Sequence, residues 1–250
     1  MFAVLLAGVA AGTINTVVGS GTLITFPTLL AFGVPPVTAN VSNNIGLVPG
    51  SLSGAVGYRR ELAGQRSRLL RLGVASVLGG SIGALLLLGL PEKAFHTIVP
   101  VLIGIGCVLV LFQPTISRRL AASAEARGGR PAHGSSWVWA LILVTGVYGG
   151  YFGAAQGVLL MAILGIGIDD SLQRLNGTKN VLATLVNGVA ALIFIVVAEV
   201  DWIVVALIAG GSVVGGQLGS AFGRRLPPLV LRVFIVVVGA TALVTFLVTS

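Results

Sequence analysis

The sequence predicts an all-α, polytopic membrane protein built from two inverted repeats, each a broken or re-entrant helical hairpin followed by three spanning helices. Three observations predict it. The 250-residue chain is 56% hydrophobic and 9% charged, with a mean hydropathy of +1.04, whereas a soluble domain carries roughly 25% charged residues. Too few solvated groups remain to cover a water-facing surface, so lipid must wet most of the exterior. The apolar runs are continuous and aromatics make up only 6%, which argues against an aromatic-girdled barrel. The second half of the chain also repeats the first at a nearly fixed offset.

Taken in order, residues 2–32 are apolar but interrupted midway by Gly19-Ser20-Gly21-Thr22. Each half is about 15 residues, or roughly 22 Å of helix, short of a hydrocarbon core about 30 Å thick. A hairpin of short helices follows from that. Apolar runs of spanning length come next at 38–58, 72–90 and 97–113. Residues 114–135, with Arg118, Arg119, Arg127, Arg130 and Pro131, have the composition of a solvated, flexible connector. A second interrupted stretch, 136–167, breaks at Gly153-Ala154-Ala155-Gln156-Gly157, and runs at 175–198, 202–223 and 229–248 complete the set. The expected organisation is therefore a first repeat (1–113), a linker (114–135) and a second repeat (136–250). Met1 to Gly12 lacks a basic leader and reads as mature structure.

The repeat is visible residue by residue. Gly12, Gly19 and Gly33 match Gly146, Gly153 and Gly167 at an offset of 134. At an offset of 136, Ser42-Asn43-Asn44-Ile45 matches Thr178-Lys179-Asn180-Val181, Gly79-Gly80 matches Gly215-Gly216, and Leu90-Pro91 matches Leu226-Pro227. Basic residues sit in alternate loops: Arg59, Arg60, Arg66, Arg68 and Arg71, then the linker, then Arg174, then Arg224, Arg225 and Arg232. The positive-inside rule places these loops in the cytoplasm and both termini outside. Each repeat then makes an odd number of crossings, and the second half is upside down. Such repeats place a site at the midplane where broken helices meet, with two access states.

The net charge of +8 and pI near 11.1 set topology and meet anionic headgroups rather than nucleic acid, because the basic residues lie between spans. The expected partners are a small anionic substrate and membrane lipids, with the oligomeric state open and a homodimer among the options. No cofactor or metal is expected. His96 and His133 lie in separate loops, and the seven acids lie in loops or at helix ends, so neither a Ser-His-Asp set nor a proton relay assembles. The chain is not expected to be an enzyme. Cys107 reads as a small packing residue.

The candidate binding residues are those of the breaks and the polar triplets. Ser20, Gly21 and Thr22 at the first break, with Gln156 and Gly157 at the second, expose free amides and helix N-termini that attract an anion. Ser42, Asn43 and Asn44, with Thr178, Lys179 and Asn180, are costly in hydrocarbon and are expected to face an interior. Lys179 is the one cation within an expected span, with two readings: it meets the substrate, or it snorkels to the interface. Asn15 and Asn187 are secondary, better suited to interhelical hydrogen bonds. The four-residue glycine spacings (Gly211, Gly215, Gly219, Gly223; Ala75, Gly79, Gly83) read as close helix contacts.

These residues carry a family resemblance. Gly19-Ser20-Gly21-Thr22-Leu23-Ile24 with Pro27, then Gly33-Val34-Pro35-Pro36, then Ala39-Asn40-Val41-Ser42-Asn43-Asn44 resemble the first-repeat signature of the sulfite exporter TauE/SafE family. Gly149-Gly150 through Gly157 and Gly177-Thr178-Lys179-Asn180 resemble its second-repeat counterpart. Ser20 and Thr22 stand where the family has glycines, and Ala154-Ala155 depart similarly in the second repeat. The resemblance implies an inner-membrane permease for sulfite, sulfonates or related sulfur oxyanions. The alternative reading is a permease for another small solute or a metal ion.

Overall fold

A computed structural model describes residues 1–126, 134–222, 233, 235–241 and 243–244. Nine helices are bounded among them: α1 (Phe2–Val17), α2 (Thr22–Ala31), α3 (Pro36–Gly57), α4 (Arg66–Gly89), α5 (Glu92–Ala126), α6 (Ser136–Tyr151), α7 (Gln156–Gly167), α8 (Leu172–Val197) and α9 (Trp202–Phe222). Residues 235–241 are helical too. The architecture is all-α, and α4, α8, α9 and the Lys93–Thr115 part of α5 are long and apolar enough to cross a bilayer. Leu78, Leu85, Leu192, Val196, Ile203 and Val214 are exposed along these helices, as a lipid-facing surface requires.

Two details differ from the sequence reading. The α3 helix, at 22 residues, is long enough to span but is not among the sufficiently apolar helices. Its Asn40, Ser42, Asn43, Ser51 and Ser53 are buried against other helices, so polar groups replace part of its apolar surface without meeting lipid. The α5 helix also runs on to Ala126, past residue 113 and into the segment read as a connector. The remaining linker residues Arg127, Gly128, Gly129, Arg130, Pro131 and His133, and Gly223, Arg224, Arg225, Leu226, Pro227 and Arg232, lie outside the described residues. So does most of the last expected span.

Glycine lets helices from opposite halves approach backbone to backbone. The α1 helix packs on α9, with Gly8 against Ile208, Gly12 against Ser212, and Gly215 against Val9 and Thr13. The α6 helix packs on α4 by the same contacts moved one repeat along: Gly146 meets Ser76 and Gly79, and Gly83 meets Val147 and Gly150. In both pairs the residue numbers rise together, so the two helices run parallel. A Cβ at Gly79 or Gly215 would strike a carbonyl of the neighbouring helix. The small-residue spacing therefore serves packing.

Helix directions show the inversion. The C-terminal end of α3 meets the N-terminal end of α8, where Asn176 Nδ2 donates to the Tyr58 hydroxyl at 2.8 Å. At the other end, Val37 and Thr38 of α3 share a cavity with Ala198 and Glu199, which follow α8. The repeat-equivalent helices α3 and α8 are thus antiparallel. One end of the bundle carries Arg59, Arg60, Arg66, Arg68, Arg71 and Arg174, and is called here the arginine end; the other carries Glu199 and Asp201 and is the acidic end.

Each hairpin enters and leaves by one end. The α1 helix starts beside the N-terminal part of α9 at the acidic end, and α2 returns there to feed α3. At the arginine end, Arg71 Nη1 donates to Gly134 O at 3.1 Å and Trp139 Nε1 donates to Arg71 O at 3.1 Å. This fixes the start of α6, and α7 returns to Asp170. At 1.5 Å per residue, α1 and α6 are roughly 24 Å long, so both hairpins are re-entrant.

Candidate functional site

The two hairpin breaks meet at the centre of the bundle. Reversal of direction needs a left-handed residue, and Gly19 (φ 87) and Gly153 (φ 72) supply it at equivalent positions. The Gly157 amide donates to Gly19 O at 3.0 Å, and a Cβ on either glycine would overlap the other's backbone. The crossing therefore needs both glycines bare. It joins the first turn of α7 to the loop before α2 and brings Ser20, Gly21, Gln156 and Gly157 together.

The crossing is surrounded by donors. The opening turn of α2 closes on the Ser20 and Gly21 carbonyls, so the amides of Ser20, Gly21 and Thr22 have no acceptor among the described hydrogen bonds. The Ser20 hydroxyl and the Gln156 Nε2 are buried without a partner, and Gly149 makes room for the Gln156 carboxamide, which a Cβ there would strike. Unsatisfied buried donors are costly in a dry interior unless a ligand meets them.

Lys179 approaches from α8. It is 0% exposed, which rules out snorkelling to the interface. Its Nζ donates to Thr16 O at 3.0 Å and Asn15 O at 3.4 Å, on the last turn of α1, where the helix dipole is negative. Lys179 takes no part in the ion pairs that Arg68 and Arg174 make with Asp170. A buried amine bound only to two carbonyls holds a charge at a cost, and an anion nearby would lower that cost.

The opposite flank is polar and internally bonded. Asn43 Nδ2 donates to the Thr22 hydroxyl at 3.3 Å, and its Oδ1 accepts from Thr25. Asn44 and Asn180, equivalent in the repeat, each bury one amide atom without a partner. Asn15 Nδ2 donates to the Ser51 hydroxyl at 3.0 Å, bridging α1 and α3. The described cavities, of about 270, 260 and 420 Å³, are lined by residues other than these.

Two of the expected residues are placed elsewhere. The Ser42 hydroxyl accepts from the Asp201 amide at 2.9 Å at the acidic end. The Thr178 hydroxyl donates to Gln65 Oε1 at 2.8 Å towards the arginine end. There Arg68 Nη1 donates to Gln65 Oε1 at 2.6 Å and pairs with Asp170 at 2.7 Å, while Arg174 pairs with Asp170 at 2.9 Å. Burial would raise the Asp170 carboxyl, but hydrogen bonds from Arg68, the Ser171 amide and Arg174, with the Arg68 charge, outweigh it and hold the carboxyl below its ordinary range.

Sequence reasoning missed Gln65, Arg68 and Asp170 as a unit, and Asn40, whose Nδ2 donates to Tyr151 O at 2.9 Å beside the second break. One signal was present: Asn40 matches Asn176 at the repeat offset, and both bind the opposite half.

Comparison with known proteins adds the following. The family model described as Sulfite exporter TauE/SafE matches residues 4–246. A probable membrane transporter protein of Haemophilus influenzae is 25% identical over 233 residues, covering 92% of this chain and 88% of its own. The probable membrane transporter protein YfcA of Escherichia coli K12 is 25% identical over 231 residues, covering 92% of this chain and 83% of its own. The probable membrane transporter protein YdhB of Bacillus subtilis is 26% identical over 216 residues, covering 86% and 85%. No solved structure matches.

Proposed function

The chain belongs to the sulfite exporter TauE/SafE family of membrane transporters, and from that premise we propose that its solute is a small monovalent oxyanion of the sulfite or sulfonate kind. The supporting observation is the buried Lys179 ammonium, without a carboxylate partner among the described residues, close in the fold to the Gly19–Gly157 crossing. One cation balances one negative charge. The Ser20 hydroxyl, the Gln156 Nε2 and the free amides of residues 20–22 supply hydrogen bonds to oxygens around that charge. A dianion would leave one charge uncompensated in a dry site.

The repeat provides the route. Two hairpins entering from opposite ends meet at one point, and exchanging the roles of the halves opens that point to either side. The arginine end is taken as cytoplasmic by the positive-inside rule, which puts both chain ends outside. A membrane potential of 100 mV, inside negative, then drives a monoanion outward with about 2.3 kcal/mol, so export requires no coupling ion.

Binding to purified protein and flux in proteoliposomes test this, with hydrogensulfite and methanesulfonate as monoanions and sulfate as a dianion. The monoanions are expected to bind and move, and sulfate is not. Lys179→Gln is expected to weaken monoanion binding by roughly 30-fold or more, since losing one partner of a buried charge pair costs about 2–5 kcal/mol. Equal handling of sulfate, or unchanged affinity in Lys179→Gln, defeats the proposal.

A further inference from the structure

We infer that Gln65, Arg68, Asp170 and Arg174 form the gate at the arginine end of the transport path, and that Gln65 couples it to the site through Thr178. The inference rests on the transport reading above. All four residues join opposite halves of the chain. Gln65 and Arg68 lie at the start of α4 in the first half, and Asp170 and Arg174 lie at the start of α8 in the second. Besides its bond with Thr178, Gln65 Nε2 donates to Glu61 O at 2.7 Å and to Arg174 O at 3.4 Å. Arg174 Nη1 returns to Ala63 O at 3.1 Å. The 58–65 loop and the start of α8 are thus laced together over the residue preceding Lys179.

Position makes this lacing a gate and not only a brace. Thr178 is fully buried, Gln65 nearly so, and Thr178 is the chain neighbour of Lys179. A route from the arginine end to Lys179 has to part the start of α4 from the start of α8, which are the elements the ion pairs hold. The repeat gives an independent reason. Thr178 and Gln65 correspond, at an offset of 136, to Ser42 and Asp201, and that pair is also hydrogen bonded, at the opposite end. Equivalent positions are thus joined at each end, through the Gln65 side chain at one and the Asp201 backbone amide at the other. At the acidic end Val204 replaces Arg68 and Thr38 replaces Arg174, so the reinforcement belongs to one end alone.

The test is thiol labelling of Ser20→Cys in a Cys107→Ala background, with a membrane-impermeant cationic methanethiosulfonate applied from either face of oriented vesicles. Arg68→Gln and Asp170→Asn are expected to speed labelling from the arginine-end face by about tenfold or more and to slow it from the other face. The exchange Arg68→Asp with Asp170→Arg is expected to restore slow labelling. Thr178→Val, which removes only the hydroxyl link, is expected to give about threefold, and it carries the test if the charge variants do not fold. Ser42→Ala is expected to act in the opposite sense, speeding labelling from the acidic-end face and slowing it from the arginine-end face.

Unchanged labelling in folded Arg68→Gln or Thr178→Val protein overturns the gate, as does equal acceleration from both faces. The measurement uses no anion, so the gate and the anion reading fail separately.

Discussion

At the arginine end, Thr178 gives its hydroxyl to Gln65, and behind Gln65 stand Arg68, Asp170 and Arg174. At the acidic end, Ser42, 136 positions earlier, accepts one bond from the Asp201 amide, and the Asp201 carboxylate is occupied with capping α9 through the Ile203 and Val204 amides at 3.1 Å. Beside it lies a cavity of about 270 Å³ reaching Thr38 and the exposed Glu199. The fold repeats the juncture and the side chains do not. Symmetry places a hydrogen-bonded juncture at equivalent positions of each end, while substitutions at a few equivalent positions add ion pairs to one of them. If the arginine-end cluster gates transport as proposed, the bias between access states is tunable without altering the helix packing.

The largest expected effect lies where the ends differ most. Arg68→Met removes a guanidinium whose side chain is only 6% exposed, and loss of one partner of a buried pair costs about 3–5 kcal/mol. Because Arg174 still holds Asp170, the lower figure is expected, read as loss of unfolding free energy in detergent. Val204→Met, at the equivalent position of the acidic end, enlarges a buried side chain and is expected to cost about 1–3 kcal/mol, less than Arg68→Met. Equal losses would erase the comparison.

Thr178→Val and Ser42→Ala come next, each removing one hydrogen bond worth about 1 kcal/mol. A double-mutant cycle distinguishes them. Thr178 and Arg68 share Gln65 Oε1 as acceptor, so their losses are expected to couple by about 0.5 kcal/mol or more, whereas Ser42 and Val204 are expected to add independently.

The smallest effect is that of pH. Asp170 has a lowered folded-state value, so its stabilising contribution is present above the ordinary carboxylate range and is lost only as pH falls through the lowered value. Asp170→Asn is expected to flatten the acid limb of a stability–pH curve and leave the neutral region parallel to that of the unaltered chain.

The hairpin breaks are legible in the sequence because small and polar residues, Gly19-Ser20-Gly21-Thr22 and Gly153-Ala154-Ala155-Gln156-Gly157, divide two apolar runs into halves too short to span. The inversion is legible through the alternation of arginines. Lys179 is legible as an intramembrane cation, but its direction is not. Snorkelling and burial use the same side chain, and the deciding Asn15 and Thr16 carbonyls lie more than 160 residues away. The Arg68–Asp170 pair is hidden for the same reason, since its partners are 102 residues apart and both look like ordinary loop charges. Ser42 and Thr178 stand out as costly polar groups. What they bind depends on the opposite half, which local pattern does not report.

The pairing of α1 with α9 and of α6 with α4 has a consequence for biosynthesis. The first hairpin leaves the ribosome with its glycine face uncovered, and the helix that covers it ends some 200 residues later, a wait of roughly 10–40 s at 5–20 residues per second. During that interval α1 is a helix too short to span, with Gly8 and Gly12 turned to whatever lies beside it, lipid or insertion machinery. Neither half is therefore a self-sufficient folding unit. The two halves, produced as separate polypeptides, should each be degraded when made alone and survive when made together.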